Sequence, residues 1–144
     1  MMSKHNLLII DDDLEYLKIL AESLEDDFEV RCANNIKVAD DLLKEVKFDI
    51  ALVDEHIGDE RGSHWIKSKQ NQDCAPTSFI LYSGLATEEA LLKGLECGAD
   101  DFLSKPISLL TLHSKLQHLI TYQNKIHDFE TEIKSKENVI NISM

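Results

Sequence analysis

At 144 residues the chain is sized for one domain with some sequence left over, and a composition 43% hydrophobic and 29% charged is ordinary for a globular protein. Its 27 Asp and Glu against 15 Lys and Arg leave a net charge of −12, which argues against nucleic-acid binding, because phosphate contacts need clustered cations. The three cysteines (Cys32, Cys74, Cys97) lack metal spacing and fit reduced thiols, no apolar stretch approaches the ~18 residues of a membrane span, and no signal-peptide pattern precedes Asp11, so a cytoplasmic protein is expected.

Taken in chain order, short apolar runs alternate with helical periodicity five times. The first strand is predicted over 6–10, where Leu7-Leu8-Ile9-Ile10 runs straight into Asp11-Asp12-Asp13. A helix follows near 13–25, with Leu14, Leu17, Ile19-Leu20 and Leu24 at helical spacing and Asp13 as its N-cap. The second strand is predicted over 28–33 and the second helix over 36–46, which carries Ile36, Ala39, Leu42-Leu43 and Val46. A third strand over 48–53 ends in Asp54 and leads to a helix near 61–70. A fourth, over 78–83, ends in Ser83 and leads to a helix near 87–97, after which Gly98 suits a left-handed C′ position. The fifth strand, 101–104, ends in Lys105-Pro106, and a last helix starts near 108 with Ser108 as its N-cap.

Strict alternation of this kind predicts an α/β fold, a doubly wound five-stranded parallel sheet with helices on both faces. In open sheets of this class ligands bind beyond the carboxyl ends of the strands, at the switch in strand order. If the order is 2-1-3-4-5, Asp11, Asp12 and Asp54 converge across one crevice while Ser83 and Lys105 line its other side. Clustered carboxylates repel one another unless a cation sits among them. Mg²⁺ takes one or two carboxylates with waters and phosphate oxygens, so Asp11 or Asp12, with Asp54 and a backbone carbonyl, would suit it. A carboxylate can also act as a nucleophile and form an aspartyl phosphate, and Asp54 is the only one here that needs to react.

The terminal segment has a different pattern. Leu112, Leu119, Ile126, Ile133 and Ile140 repeat every seven residues, with Tyr122, Phe129 and Lys136 three residues after the middle members. This is a coiled-coil seam, and a continuous helix from 108 to 140 would be about 50 Å long. The expected organisation is therefore a domain over 1–120 and a helical extension or linker over 121–144.

The motifs LLIIDDD, LVDEHIGDERG, LYSG and GADDFLSKP, in this order, resemble those of the receiver domain of two-component response regulators, over about residues 6–120. The resemblance implies the flavodoxin-like receiver fold, with Mg²⁺ bound by Asp11, Asp12, Asp54 and the backbone carbonyl of His56. It makes Asp54 the phosphoacceptor, Ser83 and Lys105 contacts of the phosphoryl group, Ser83 and Phe102 the switch pair, and the Lys105-Pro106 bond cis. It also implies a sensor histidine kinase or phosphotransfer protein as donor and an output domain or partner protein as receiver of the signal. A homodimer is expected through the face of the fourth and fifth helices or through the C-terminal helix. Departures from the family pattern are Gly58, where proline is usual and its absence predicts a more mobile loop, and Phe102 in place of tyrosine. His56 and Leu85 stand at variable positions that tune phosphoryl lifetime. Two rival readings are a small Mg²⁺-dependent aspartate-nucleophile phosphatase, for which Asp11-Asp12-Asp13 supplies the required Asp-x-Asp, and a degenerate receiver that serves as a dimerisation scaffold. The expected protein is a signalling module rather than an enzyme.

Overall fold

The computed structural model describes residues 4–72, 75–84 and 87–143, with side chains to residue 136; Cys74, Leu85 and the side chain of Ile140 lie outside the described residues. The chain divides into two compact units, residues 1–109 and 110–144.

The first unit is built on a parallel sheet of five strands: β1 (His5–Ile10), β2 (Phe28–Ala33), β3 (Ile50–Asp54), β6 (Ser78–Ser83) and β7 (Asp101–Ser104), in the order β2-β1-β3-β6-β7. This is the predicted 2-1-3-4-5 order, renumbered because a two-stranded ribbon, β4 (His56–Ile57) paired antiparallel with β5 (Glu60–Arg61), intervenes. Leu7 to Ile10 of β1 and Ile50 to Val53 of β3 are fully buried, as strands covered on both faces must be. Leu8, Ile10, Ala51, Val53, Phe79 and Leu81 share one face with Ala39 and Leu43 of α2 (Ile36–Glu45), Trp65 and Ile66 of α3 (Gly62–Ser68) and Cys97, which caps α4 (Glu88–Glu96). Alternate residues such as Leu7, Ile9 and Leu52 point the other way, toward the side of α1 (Leu14–Leu24), whose Leu17, Leu20 and Leu24 are buried.

The helix ends follow the sequence chemistry. Asp13 caps α1 by accepting from the Tyr16 amide, Asn35 caps α2 through Val38, and Thr87 caps α4 through Ala90. Gly98, just past α4, has φ +96°, the left-handed residue that its position requires. α2 and α4 differ in how they pack. Trp65 Nε1 donates to Asp40 Oδ1 at 2.9 Å and Lys69 reaches the same oxygen at 2.8 Å, which pins α2 to α3. α4 instead leaves Leu91, Leu92 and Leu95 exposed and buries Gly94, where an added Cβ would press on the Phe102 ring at 3.1 Å.

The second unit is helical: α5 (Leu109–Ser143) runs for 35 residues. Tyr122, Ile126, Phe129 and Ile133, at the 3-4 spacing of the predicted seam, are exposed. Among the described residues no helix is long and apolar enough to cross a membrane.

Candidate functional site

Parallel register brings the carboxyl ends of β1, β3, β6 and β7 level, with Ile10 opposite Val53, Asp54 opposite Tyr82 and Ser83 opposite Ser104. The ladder continues just past the strands: the Glu55 amide donates to the Tyr82 carbonyl and the Lys105 amide to that of Ser83, at 2.9 and 2.8 Å. Asp11, Asp54 and Ser83 are buried at these ends, while Asp12 is exposed.

Asp11, Asp12 and Asp54 can each offer a carboxylate oxygen to one point, the three atoms lying within 4.8 Å of one another. Lys105 closes the cluster, with Nζ 3.3 Å from Asp11 Oδ2 and 3.2 Å from Asp54 Oδ2. One ammonium facing buried carboxylates leaves negative charge in excess. Burial, then the charge of Asp11, push the Asp54 carboxyl up to about 7 against the opposing pull of Lys105. Burial works against the Lys105 charge, but Asp54 and Asp11 more than offset it and its pKa rises. This donor set fits a hard divalent cation, which takes carboxylate oxygens and relieves their repulsion.

The ribbon after Asp54 is part of the site. The His56 amide faces Asp54 Oδ1 at 3.4 Å, and the Gly58 amide donates to Asp12 Oδ2 at 2.8 Å. Gly58 has φ +60° at the first central position of a two-residue turn, where hairpins favour glycine. Proline could supply neither that φ nor the N–H. The residue that departs from the resembled pattern therefore ties the ribbon to Asp12. The ribbon returns through Gly62, whose amide donates to the Glu55 carbonyl at 2.9 Å. A Cβ at Gly62 would overlap the Asp54 carbonyl oxygen, so only glycine lets the chain pass this close. Glu55 Oε1 then accepts from both the amide and the hydroxyl of Ser63, at 3.0 and 2.8 Å, anchoring the start of α3.

Ser83 lines a cleft of about 240 Å³ with Glu55, His56, Arg61, Thr87 and Lys93. Phe102 is half-buried and lines a separate, mostly apolar cleft of about 390 Å³ with Leu91 of α4. The Lys105-Pro106 bond is cis. Sequence reasoning singled out Asp11, Asp12, Asp54, Ser83 and Lys105, and register brings them to one rim. It missed Tyr82, whose hydroxyl donates to Asp11 Oδ2 at 2.7 Å, and Tyr16, whose ring lies beside it with centroids 6.1 Å apart. The available signal was a phenol in the apolar run Phe79-Ile80-Leu81-Tyr82, because a buried tyrosine hydroxyl needs a partner.

A flavodoxin-like sheet with an acidic crevice at its carboxyl rim, facing a lysine that follows the last strand, defines a small class of phosphoryl-handling domains. The chain belongs to the response regulator receiver domain family, whose profile matches residues 7–117. It is 33% identical over 114 residues to the nisin biosynthesis regulatory protein NisR of Lactococcus lactis subsp. lactis, covering 78% of this chain and 49% of that protein. It is 32% identical over 119 residues to the transcriptional regulatory protein GltR of Pseudomonas aeruginosa, covering 80% and 48%. The chain thus spans about half of these curated relatives. Among solved structures, a CheY-like receiver domain protein from Methanospirillum hungatei JF-1 matches with TM-score 0.78 and 26% identity, over 85% of this chain and 98% of that one. A response regulator protein from Burkholderia pseudomallei, crystallised with a phosphorylated aspartic acid, calcium ion and citrate, matches with TM-score 0.72 and 29% identity over 85% and 72%. The chain is a receiver domain of the two-component response-regulator type.

Proposed function

We propose that Asp54 is the phosphoacceptor of this domain, and that Asp11, Asp12, Asp54 and the backbone carbonyl of His56 hold Mg²⁺ beside it. The observation that carries this reading is the buried Asp54 carboxylate at the end of β3, within ion-pair distance of Lys105 and in one cluster with Asp11 and Asp12. Mg²⁺ would supply charge neutralisation for the carboxylates and for the phosphoryl oxygens. The Asp54 carboxylate oxygen attacks phosphorus, and the phosphoimidazole nitrogen of a histidine kinase or phosphotransfer protein leaves with the P–N electron pair. Lys105 then pairs with the phosphoryl oxygens, and the Ser83 hydroxyl donates to them.

Ser83 moving toward the phosphoryl group frees space into which Phe102 turns, a shift between two pre-existing forms. The exposed leucines of α4 suit a surface that changes partners with that shift. The domain is read as 1–120 and the extension as 121–144, where exposed Tyr122, Ile126, Phe129 and Ile133 suit pairing with a second copy and transmission to an output module. The protein acts in the cytoplasm as a switch rather than as an enzyme. Asp13, the second acid of the phosphatase-type Asp-x-Asp, is engaged as the cap of α1, which weighs against that chemistry.

The test is incubation with Mg²⁺ and acetyl phosphate, followed by intact and peptide mass spectrometry. A single Mg²⁺-dependent phosphate on Asp54, absent in Asp54→Asn, is expected. An unmodified Asp54, or turnover of acetyl phosphate that depends on Asp11 instead, would overturn the proposal.

A further inference from the structure

Tyr82 sits one residue before Ser83 on β6 and is fully buried. Its hydroxyl has two oxygens within reach: the Ile10 carbonyl at 3.3 Å and Asp11 Oδ2 at 2.7 Å. For a phenol whose only need was a satisfied proton, the carbonyl would suffice; the shorter bond goes to the carboxylate, as a charge-assisted hydrogen bond does. Asp11 is thereby held at both oxygens. The Asp13 amide donates to Oδ1 at 2.9 Å, while Tyr82 and Lys105 share Oδ2. Lys105 is confined by the same residue. Its Nζ lies 4.8 Å from the centroid of the Tyr82 ring and 5.1 Å from that of Tyr16, within the range of cation–π attraction.

We propose that Tyr82 is a positioning residue for phosphotransfer: its hydroxyl fixes Asp11 for the metal, and its ring, with that of Tyr16, holds the Lys105 ammonium at the mouth of the acidic cluster. The inference rests on the receiver reading of the site. When Lys105 moves to the phosphoryl oxygens, Asp11 Oδ2 keeps a donor and is not left as a bare buried charge. The Tyr82 hydroxyl faces only acceptors, a carbonyl and a carboxylate oxygen, so it serves as a donor.

Tyr82→Phe tests this, because it keeps the ring and removes only the hydroxyl. Mg²⁺ binding to the full chain is measured by titration calorimetry, with thermal unfolding beside it. Removal of a hydrogen-bond partner of a metal ligand predicts about tenfold weaker Mg²⁺ binding, with a chain that still unfolds cooperatively at a lower temperature, as loss of one buried charge-assisted hydrogen bond requires. A second readout uses the wild-type chain with Tyr122→Phe as its control. Saturation with Mg²⁺ perturbs the near-ultraviolet absorbance of a tyrosine bonded to a ligand carboxylate, and this difference band persists in Tyr122→Phe, whose ring is exposed on α5. Unchanged or tighter Mg²⁺ binding in Tyr82→Phe, or a wild-type titration without the tyrosine band, overturns the inference. If wild type still takes a Mg²⁺-dependent phosphate on Asp54, the receiver reading survives that result; if it binds no Mg²⁺ and takes no phosphate, both fail.

Discussion

The middle of the sheet and its carboxyl rim are one residue apart in sequence and opposite in physics. From Leu7 to Ile10 and from Ile50 to Val53 every side chain is apolar and fully buried. At the next residue, Asp11 and Asp54, burial continues but the side chains are carboxylates. The core gains from exclusion of water, whereas the rim is destabilised by it, with Lys105 as the shared counter-charge. The fold thus places its least favourable electrostatics at the ends of its fully buried strands. Negative charge in excess at such a rim is what a bound cation would relieve.

The largest effect should come from the core side. Leu52→Ala, in the centre of β3, is expected to lower unfolding free energy by about 3 kcal/mol, read by urea denaturation. A loss no greater than that of a surface substitution would mean that the sheet is loosely packed and the contrast is overstated.

The rim predicts the opposite sign. Asp54→Asn removes a buried charge beside Asp11 and should stabilise the metal-free chain at pH 8 by about 2 kcal/mol. The folded Asp54 carboxyl keeps its proton to about pH 7, against 3.8 as its ordinary value, so between these values the folded chain binds more protons than the unfolded one. Stability contributed by this group is therefore complete below the lower value and lost as pH rises through the upper. Denaturation of metal-free wild type across pH 4 to 8 should show that decline, and Asp54→Asn should flatten it.

The smallest effect sharpens the contrast at a single hydrogen bond. Gly58→Pro removes the amide that donates to Asp12 Oδ2 and cannot adopt φ +60°. Mg²⁺ affinity should fall about tenfold in calorimetry, as loss of one positioning contact to a metal ligand would cause. Gly58→Ala keeps the N–H, and its Cβ would meet nothing within 4 Å. It should therefore lie closer to wild type in Mg²⁺ binding.

The same contrast explains what could be read from sequence. Apolar runs that end in Asp11, Asp54 and Ser83 are visible because burial on both faces erases alternation and leaves the polar residue as a terminal mark. β-α alternation predicts the parallel sheet but not its strand order, which the family resemblance supplied, so the convergence of these residues could be anticipated only with both. The β4–β5 ribbon could not, since two residues per strand carry no periodicity and Gly58-Asp59 reads only as a turn. Tyr82 was hidden for a related reason. Its position in an apolar run says that it is buried, but which oxygen it meets across β3 and β1 depends on register. Gly62 depends on tertiary structure in the same way, because only the returning chain brings it against Asp54.

The most direct test of the frustrated rim is a ¹³C NMR titration of the Asp54 carboxyl, with and without Mg²⁺, using Asp54→Asn to assign the resonance. The account predicts a midpoint near 7 in the metal-free chain and a marked fall when Mg²⁺ is bound. A metal-free midpoint in the ordinary carboxylate range, unmoved by Mg²⁺, would contradict it.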